Sequence, residues 1–330
     1  MKFIAVIACL IPFWGSSQIG GQFGYQSLNL TTNPRSAALA GTTISLSDGD
    51  ISQFFENPAT LDSVNSQNLF AHFNPYFVDV FVFTGAYSFN VGKLGVMAAG
   101  INYVNYGEFN LTDETGSQVG SFNSQDFSFY VGKAHKLGPF TLGANFKLAH
   151  SSIESYGSTA LMLDFGGTFH VSRNWTVAMV MKNLGTNIST SAIASTPEVP
   201  FDVVLGTTFK PEYMPLRFTL TSNNLINENY IESEEAGGRD TNAIDKVWKR
   251  VNLGAEVLLS KNFQFLIGYN HKRKQELRLD DRGGGAGLSY GIMLKVRQIE
   301  FRFSRATYHV AGGSSFISLR TDLNDFKKIL

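Results

Sequence analysis

The residues best able to move a proton or hold a metal near neutral pH are six histidines: His72, His135, His150, His170, His271 and His309. They are scattered, without the spacing of a ligand set, and read as ordinary sheet or rim residues. No Gly-x-Ser-x-Gly elbow and no His-Glu-x-x-His helix occurs. The run Gly283 to Gly287 lacks the Lys-Ser/Thr of a phosphate loop and opens a strand, where flexibility or a bulge explains it better. Asp48-Gly49-Asp50 has too few oxygen ligands after it for a calcium loop, and reads as a turn in which Asp50 caps a short helix through Glu56. Glu232, Glu234 and Glu235 read as solvated surface. The expectation is a chain that is not an enzyme and uses no metal or cofactor.

What must position such residues follows from composition. Met1-Lys2, an apolar run from Phe3 to Trp14 and small residues up to Gln18 read as a secretory signal peptide over 1–18. Cys9, inside that run, is the one cysteine, so a mature chain would have no disulfide and no thiol nucleophile. Lys and Arg total 27 and so do Asp and Glu, which leaves no basic field for nucleic acid. No later run of eighteen apolar residues occurs, so helical membrane spans are excluded. An exported chain with 32 Gly, 28 Phe and 12 Tyr is then a soluble β-protein or an outer-membrane barrel.

From Asn68 the chain alternates apolar with polar. Phe140, Leu142, Ala144, Phe146 and Leu148 alternate with Thr141, Gly143, Asn145, Lys147 and Ala149; Phe263, Phe265 and Ile267 alternate with Gln264, Leu266 and Gly268. Period two puts each set on one face of a sheet. Fourteen such segments lie near 68–76, 78–90, 93–107, 122–135, 139–151, 156–170, 174–185, 200–210, 215–226, 248–260, 263–273, 285–297, 299–310 and 313–322. Connections after even segments are short. Most after odd segments are long: 108–121, 186–199, 227–247 and 274–284. Short periplasmic turns facing long outer loops are the mark of a transmembrane barrel. The expectation is an all-β, 14-stranded antiparallel transmembrane barrel over 68–322. Phe140, Phe146, Phe263, Phe265, Phe301 and Phe303 should face lipid, and 323–330 is a periplasmic tail.

The stretch 19–67 does not alternate. Ser36 to Ala40 is small and helix-permissive, Gly41 is a plausible stop, and Pro58 ends any helix at Asn57. Its large apolar residues, Phe54, Phe55 and Leu61 among them, argue against a solvated linker. A fourteen-stranded lumen needs partial filling, so 19–67 reads as an N-terminal plug. Lys147, Lys210, Arg217, Lys295, Glu300 and Arg302 are its expected polar partners in the lumen. Asn57-Pro58-Ala59 reads as a fixed turn whose small alanine approaches the wall.

Gly20-Gly21, Tyr25, Leu28-Asn29-Leu30, Ser36-Ala37-Ala38-Leu39 with Gly41, and Asn57-Pro58-Ala59 together carry a resemblance. The framework resembles the N-terminal segment of the PorQ family, outer-membrane β-barrel subunits of the type IX secretion system of Bacteroidetes. It is similar to the wider FadL-type barrels, PorV included. The resemblance implies a fourteen-stranded barrel with a lumenal hatch. It also implies a non-catalytic outer-membrane anchor in the attachment complex, where cargo is joined to lipopolysaccharide. The partners would be a PorZ-like surface protein and other attachment-complex subunits. The 227–247 loop and its flank supply candidate contacts in Tyr230, Ile231, Arg239, Ile244 and Trp248, since aromatic and Arg anchors in a polar surround are interface anatomy. Trp248 alone equally suits an aromatic girdle at the membrane edge. The alternative is a FadL-type transporter of hydrophobic small molecules, which requires an apolar pocket between plug and outer loops.

Overall fold

A computed structural model of the chain describes residues 24–64, 66–191, 198–226, 247–276, 285–309 and 312–327. Fourteen antiparallel strands close into one barrel. They are β1 (Asn68–Pro75), β2 (Phe81–Asn90), β3 (Val96–Thr112), β4 (Gln118–Leu137), β5 (Phe140–Ile153), β6 (Tyr156–Ser172) and β7 (Trp175–Thr190). The circuit continues with β8 (Asp202–Phe209), β9 (Leu216–Ser222), β10 (Val251–Val257), β11 (Phe263–Asn270), β12 (Leu288–Val296), β13 (Ile299–His309) and β14 (Gly312–Asp322), which pairs back with β1.

Alternation decides which face each side chain takes. Phe140, Phe146, Phe263, Phe265 and Phe301 point outward and are exposed, and Phe303 is half-buried. Their neighbours Lys147, Leu266, Glu300 and Arg302 are buried inside. The outer surface therefore carries an apolar band, as lipid requires. Phe140 stacks on Phe169 with ring centroids 4.5 Å apart near the rim of short turns, and Trp175 pairs with Phe209 at the same level. No helix among the described residues is long and apolar enough to cross a membrane. Both ends of the barrel sequence, Asn68 and Asp322, pair at the short-turn rim, which is the periplasmic one.

The other rim is uneven. The expected loop over 108–121 is not a loop. β3 runs on to Thr112 and β4 resumes at Gln118, leaving a tight turn in which the Asp113 carboxylate accepts from the backbone N–H groups of Thr115 and Ser117. A β-bulge hid this. Tyr106 and Gly107 face only Ser124 between the Asn105–Gln125 and Glu108–Asn123 pairs, so the period-two pattern breaks there. β7 likewise extends to Thr190, into the segment expected as a loop over 186–199. β11 ends at Asn270 and the chain turns into a helix over His271–Glu276, whose Arg273 N–H donates to Asn270 Oδ1. β2 begins at Phe81 rather than at 78 because the chain first turns through Val78, which has a left-handed φ of 53°. β3 to β7 thus project as one sheet beyond β8 to β10.

Ile267 lies mid-strand and 45% exposed on the lipid face, whereas Phe265 is two residues from the periplasmic end of β11. Ile267→Arg should therefore lower barrel stability by about 2–4 kcal/mol, with Phe265→Arg costing less and Gln264→Arg least. Equal midpoints for the three in a urea unfolding series would contradict the assignment of faces.

Candidate functional site

The barrel is filled by the residues before β1. Asn33 caps a five-residue helix, Pro34–Ala38, by accepting from Ser36 N–H, and Pro34 sits where its missing N–H costs nothing. Ser36 Oγ lies 2.8 Å from Thr43 Oγ1, Ala37 packs on Ala306 and Phe316, and Gly41 N–H returns to Ser36 C=O with φ at 120°. Asp50 caps the 3₁₀ turn Ile51–Phe55 through Ser52 N–H. Asn57 caps a second, Pro58–Ser63, by accepting from Ala59 N–H, and donates to Ile44 C=O at 2.7 Å. Phe54, Phe55, Leu61 and Tyr130 then form one cluster against β2 to β4.

Glycines in the wall set how closely these turns approach. A Cβ on Gly143 would fall 2.4 Å from Ala59 N, and one on Gly268 would fall 2.4 Å from Ala40 N. No side chain fits at either position. Gly166 receives Asn57 and Gly291 receives Ala38 in the same way.

Arg35 is 2% exposed, and its guanidinium is ringed by acids. It binds Asp48 through two parallel bonds of 2.7 Å, Glu256 of β10 at 2.9 Å through Nε, and Asp50 at 3.3 Å. Arg217 of β9 bonds the same Asp48 at 2.6 Å and Glu256 at 2.8 Å. Arg302 of β13 binds Asp50 and, at 2.8 Å, Glu300. Arg320 of β14 closes the chain on Glu300 at 2.6 Å and on Gly49 C=O at 2.7 Å. Burial alone would raise the Asp48 and Asp50 carboxyls. The surrounding arginines outweigh it and hold Asp48 well below the carboxylate range and Asp50 below it too. A carboxylate with a depressed folded pKa contributes stability above its unfolded pKa of about 4 and loses it as pH falls further. The cage should therefore be intact at neutral pH and weaken only below about pH 4.

A second polar cluster lies nearer mid-barrel. Lys182 reaches Glu56 of the plug at 2.7 Å, and Lys147 pairs with Asp164 at 2.7 Å. A bulge opposite Asp164 allows both Lys182 and the next residue, Asn183, to point inward, with Asn183 at φ 59°. Asn183 N–H donates to Asp164, and its side chain accepts from Lys147.

Above the plug, under the projecting sheet, opens a cavity of about 550 Å³. Phe109, Phe122, Ile153 and Tyr156 form apolar walls, and the Phe109 and Phe122 rings stack with centroids 5.4 Å apart. Its polar floor is Tyr25, Tyr106, Ser124, Asp126 and Ser158. Tyr25, held at a left-handed φ of 53°, donates to Asn187 at 2.7 Å and meets Ser158 at 2.6 Å. A bulky residue in that conformation is a strained position of the kind that collects at binding sites.

The expected site residues are distributed as follows. Ser36, Ala37, Gly41, Asn57, Pro58 and Ala59 all sit in the lumen at the contacts given above. Arg217 and Arg302 do meet the plug. Lys147 faces Asp164 instead, Lys210 is exposed on a turn, and Lys295 lines a periplasmic cavity of about 680 Å³. Tyr230, Ile231, Arg239 and Ile244 lie outside the described residues. Trp248 is 43% exposed in a short helical turn before β10. Arg35, Glu256, Tyr106 and Asp126 are functional positions beyond the expected set. A lone arginine in a run of small residues, and acids on inward positions of strands, were the available signals.

No protein-family model matches the chain, and no curated protein sequence does. Solved structures do. The deltaS2S3 mutant of the monoaromatic hydrocarbon channel TodX aligns at a TM-score of 0.52 with 10% identity, over 88% of this chain and 98% of that one. A Pseudomonas aeruginosa FadL homologue aligns at 0.52 with 12% identity, over the same shares. The fold is that of a FadL-like barrel. At these identities the likeness concerns architecture alone, and in this FadL-like barrel the side chains above are the chain's own.

Removing Arg35 leaves Asp48, Asp50 and Glu256 one arginine short and the buried cage with an uncompensated negative charge. Arg35→Leu should destabilise the plugged state by about 3–5 kcal/mol and raise ion conductance in planar bilayers. Gly268→Val should do the same by collision. Parent-like conductance from both variants would mean that the plug is not held by these contacts.

Proposed function

We propose that the chain is an outer-membrane channel for small hydrophobic molecules, which enter at the outer cavity. The observation that carries this reading is an apolar-walled cavity seated between the plug residues Gly24, Tyr25 and Gln26 and the projecting strands. Its volume is that of a small-molecule site, and it combines broad apolar walls with a few convergent polar groups. The resemblance in architecture to a hydrocarbon channel and a FadL homologue supports the same reading. Burial of a ligand against the stacked Phe109 and Phe122 rings supplies affinity by removing apolar surface from water.

The test is uptake. Cells depending on this barrel should accumulate a labelled monoaromatic hydrocarbon, and Phe109→Ser with Phe122→Ser should cut the rate at least tenfold at unchanged barrel level. Unchanged uptake in the double variant would rule out the cavity as the entry site.

A second reading makes the outer face the seat of a PorZ-like surface protein and of other subunits of a type IX attachment complex. One feature favours it. From Glu108 to Thr112, β3 has no β2 partner among the described residues, which leaves a strand edge able to accept an added strand. Proline at Asn110 and Thr112 would abolish capture of such a partner and spare hydrocarbon uptake, whereas the channel reading requires no capture at all.

A further inference from the structure

Asp126 stands apart from the other buried acids. It is 6% exposed, on the inward face of β4 between Ser124 and Ser128. Asp50, Glu56, Asp164, Glu256 and Glu300, the other buried carboxylates among the described residues, each face an arginine or lysine. Asp126 makes no ion pair among the described residues. Its Oδ2 accepts from the Tyr106 hydroxyl at 3.0 Å, and no donor among the described residues reaches Oδ1. A buried carboxylate without a counter-ion is costly, so a site that keeps one has a use for it.

Its surroundings indicate the use. Asp126 lines the floor of the outer cavity, below the Phe109 and Phe122 rings and beside Tyr25 and Tyr156. Burial first, and the Asp126 charge after the opposing Ser158 hydrogen bond, push the Tyr25 phenol up, so it stays a neutral hydroxyl. The cavity thus offers aromatic faces, hydroxyls and one carboxylate, with no Lys or Arg among the described residues that line it. Aromatic faces attract cations as well as apolar bodies.

We infer that the outer cavity selects apolar ligands carrying a cationic, hydrogen-bond-donating head, namely small aromatic or alkyl amines, and rejects their carboxylate counterparts. The head pairs with Asp126 Oδ1 while the body lies against the stacked Phe109 and Phe122 rings. A carboxylate head in the same pose would meet a like charge in a poorly solvated site. This inference rests on the proposed channel function and adds its substrate class.

Calorimetric titration of the purified full chain in non-ionic detergent at pH 7 tests it, with 2-phenylethylamine, 2-phenylethanol and 3-phenylpropanoate as matched probes. The amine should bind at least tenfold more tightly than the carboxylate, with the alcohol between them. Asp126→Asn should bring the amine down to the level of the alcohol and improve the carboxylate. The ranking in the parent protein stands as evidence even if that variant folds poorly. If the carboxylate or the alcohol binds best, or Asp126→Asn keeps the amine preference, the inference is wrong while the channel reading survives. If no probe binds, both fall.

Discussion

A buried arginine must have its charge met before anything around it can pack, and in this barrel Arg35 draws that compensation from two directions. Asp48 and Asp50 come from its own segment, and Glu256 comes from the wall. Around it four arginines (35, 217, 302, 320) meet four acids (48, 50, 256, 300), so the cage is neutral as a whole. Asp48, Asp50 and Glu256 each tie a plug residue to a strand, and Glu300 links two wall arginines. A plug that moved would have to separate several buried ion pairs together, and that makes the filled lumen one state rather than a loose collection.

The two ends of the lumen differ because of where these groups lie. Arg217, Glu256, Glu300, Arg302 and Arg320 all sit within a few residues of the periplasmic turns. That end is sealed by charge. The outer end holds Tyr25, Phe109 and Phe122, and is an apolar hollow beneath strands that outrun the membrane. Between them the glycine-backed turn at Asn57-Pro58-Ala59 and the Lys182–Glu56 pair fix the plug in register with the wall. An apolar solute meets a receptive surface on one side and an ionic barrier on the other. On the proposed channel function, the chemistry of the cavity, more than that of the lumen, would decide what is admitted.

Much of this was legible in the chain. Alternation around Phe140, Phe263 and Phe301 gave strands and faces because a lipid-facing period of two leaves a direct trace in residue type. The cap at Asp50 was legible because capping depends on a local side chain. The Asn33 cap was not, and Asn57, which reads as a helix end and a fixed turn, opens the turn Pro58–Ser63. The bulges at Tyr106-Gly107 and at Lys182-Asn183 were not, since one extra residue shifts the period and makes a strand look like a loop. Nor was the cage. Arg35 and Glu256 are 221 residues apart, and only closure of the barrel brings them together. The cavity escaped for the same reason: Tyr25, Asp126 and Ser158 belong to three distant segments, each unremarkable alone.

The most direct test is native mass spectrometry of the protein released gently from outer membranes. The account predicts a single barrel carrying a small apolar molecule, lost when Phe109 and Phe122 are replaced by serine. A stoichiometric surface protein on a barrel with an empty cavity would contradict it.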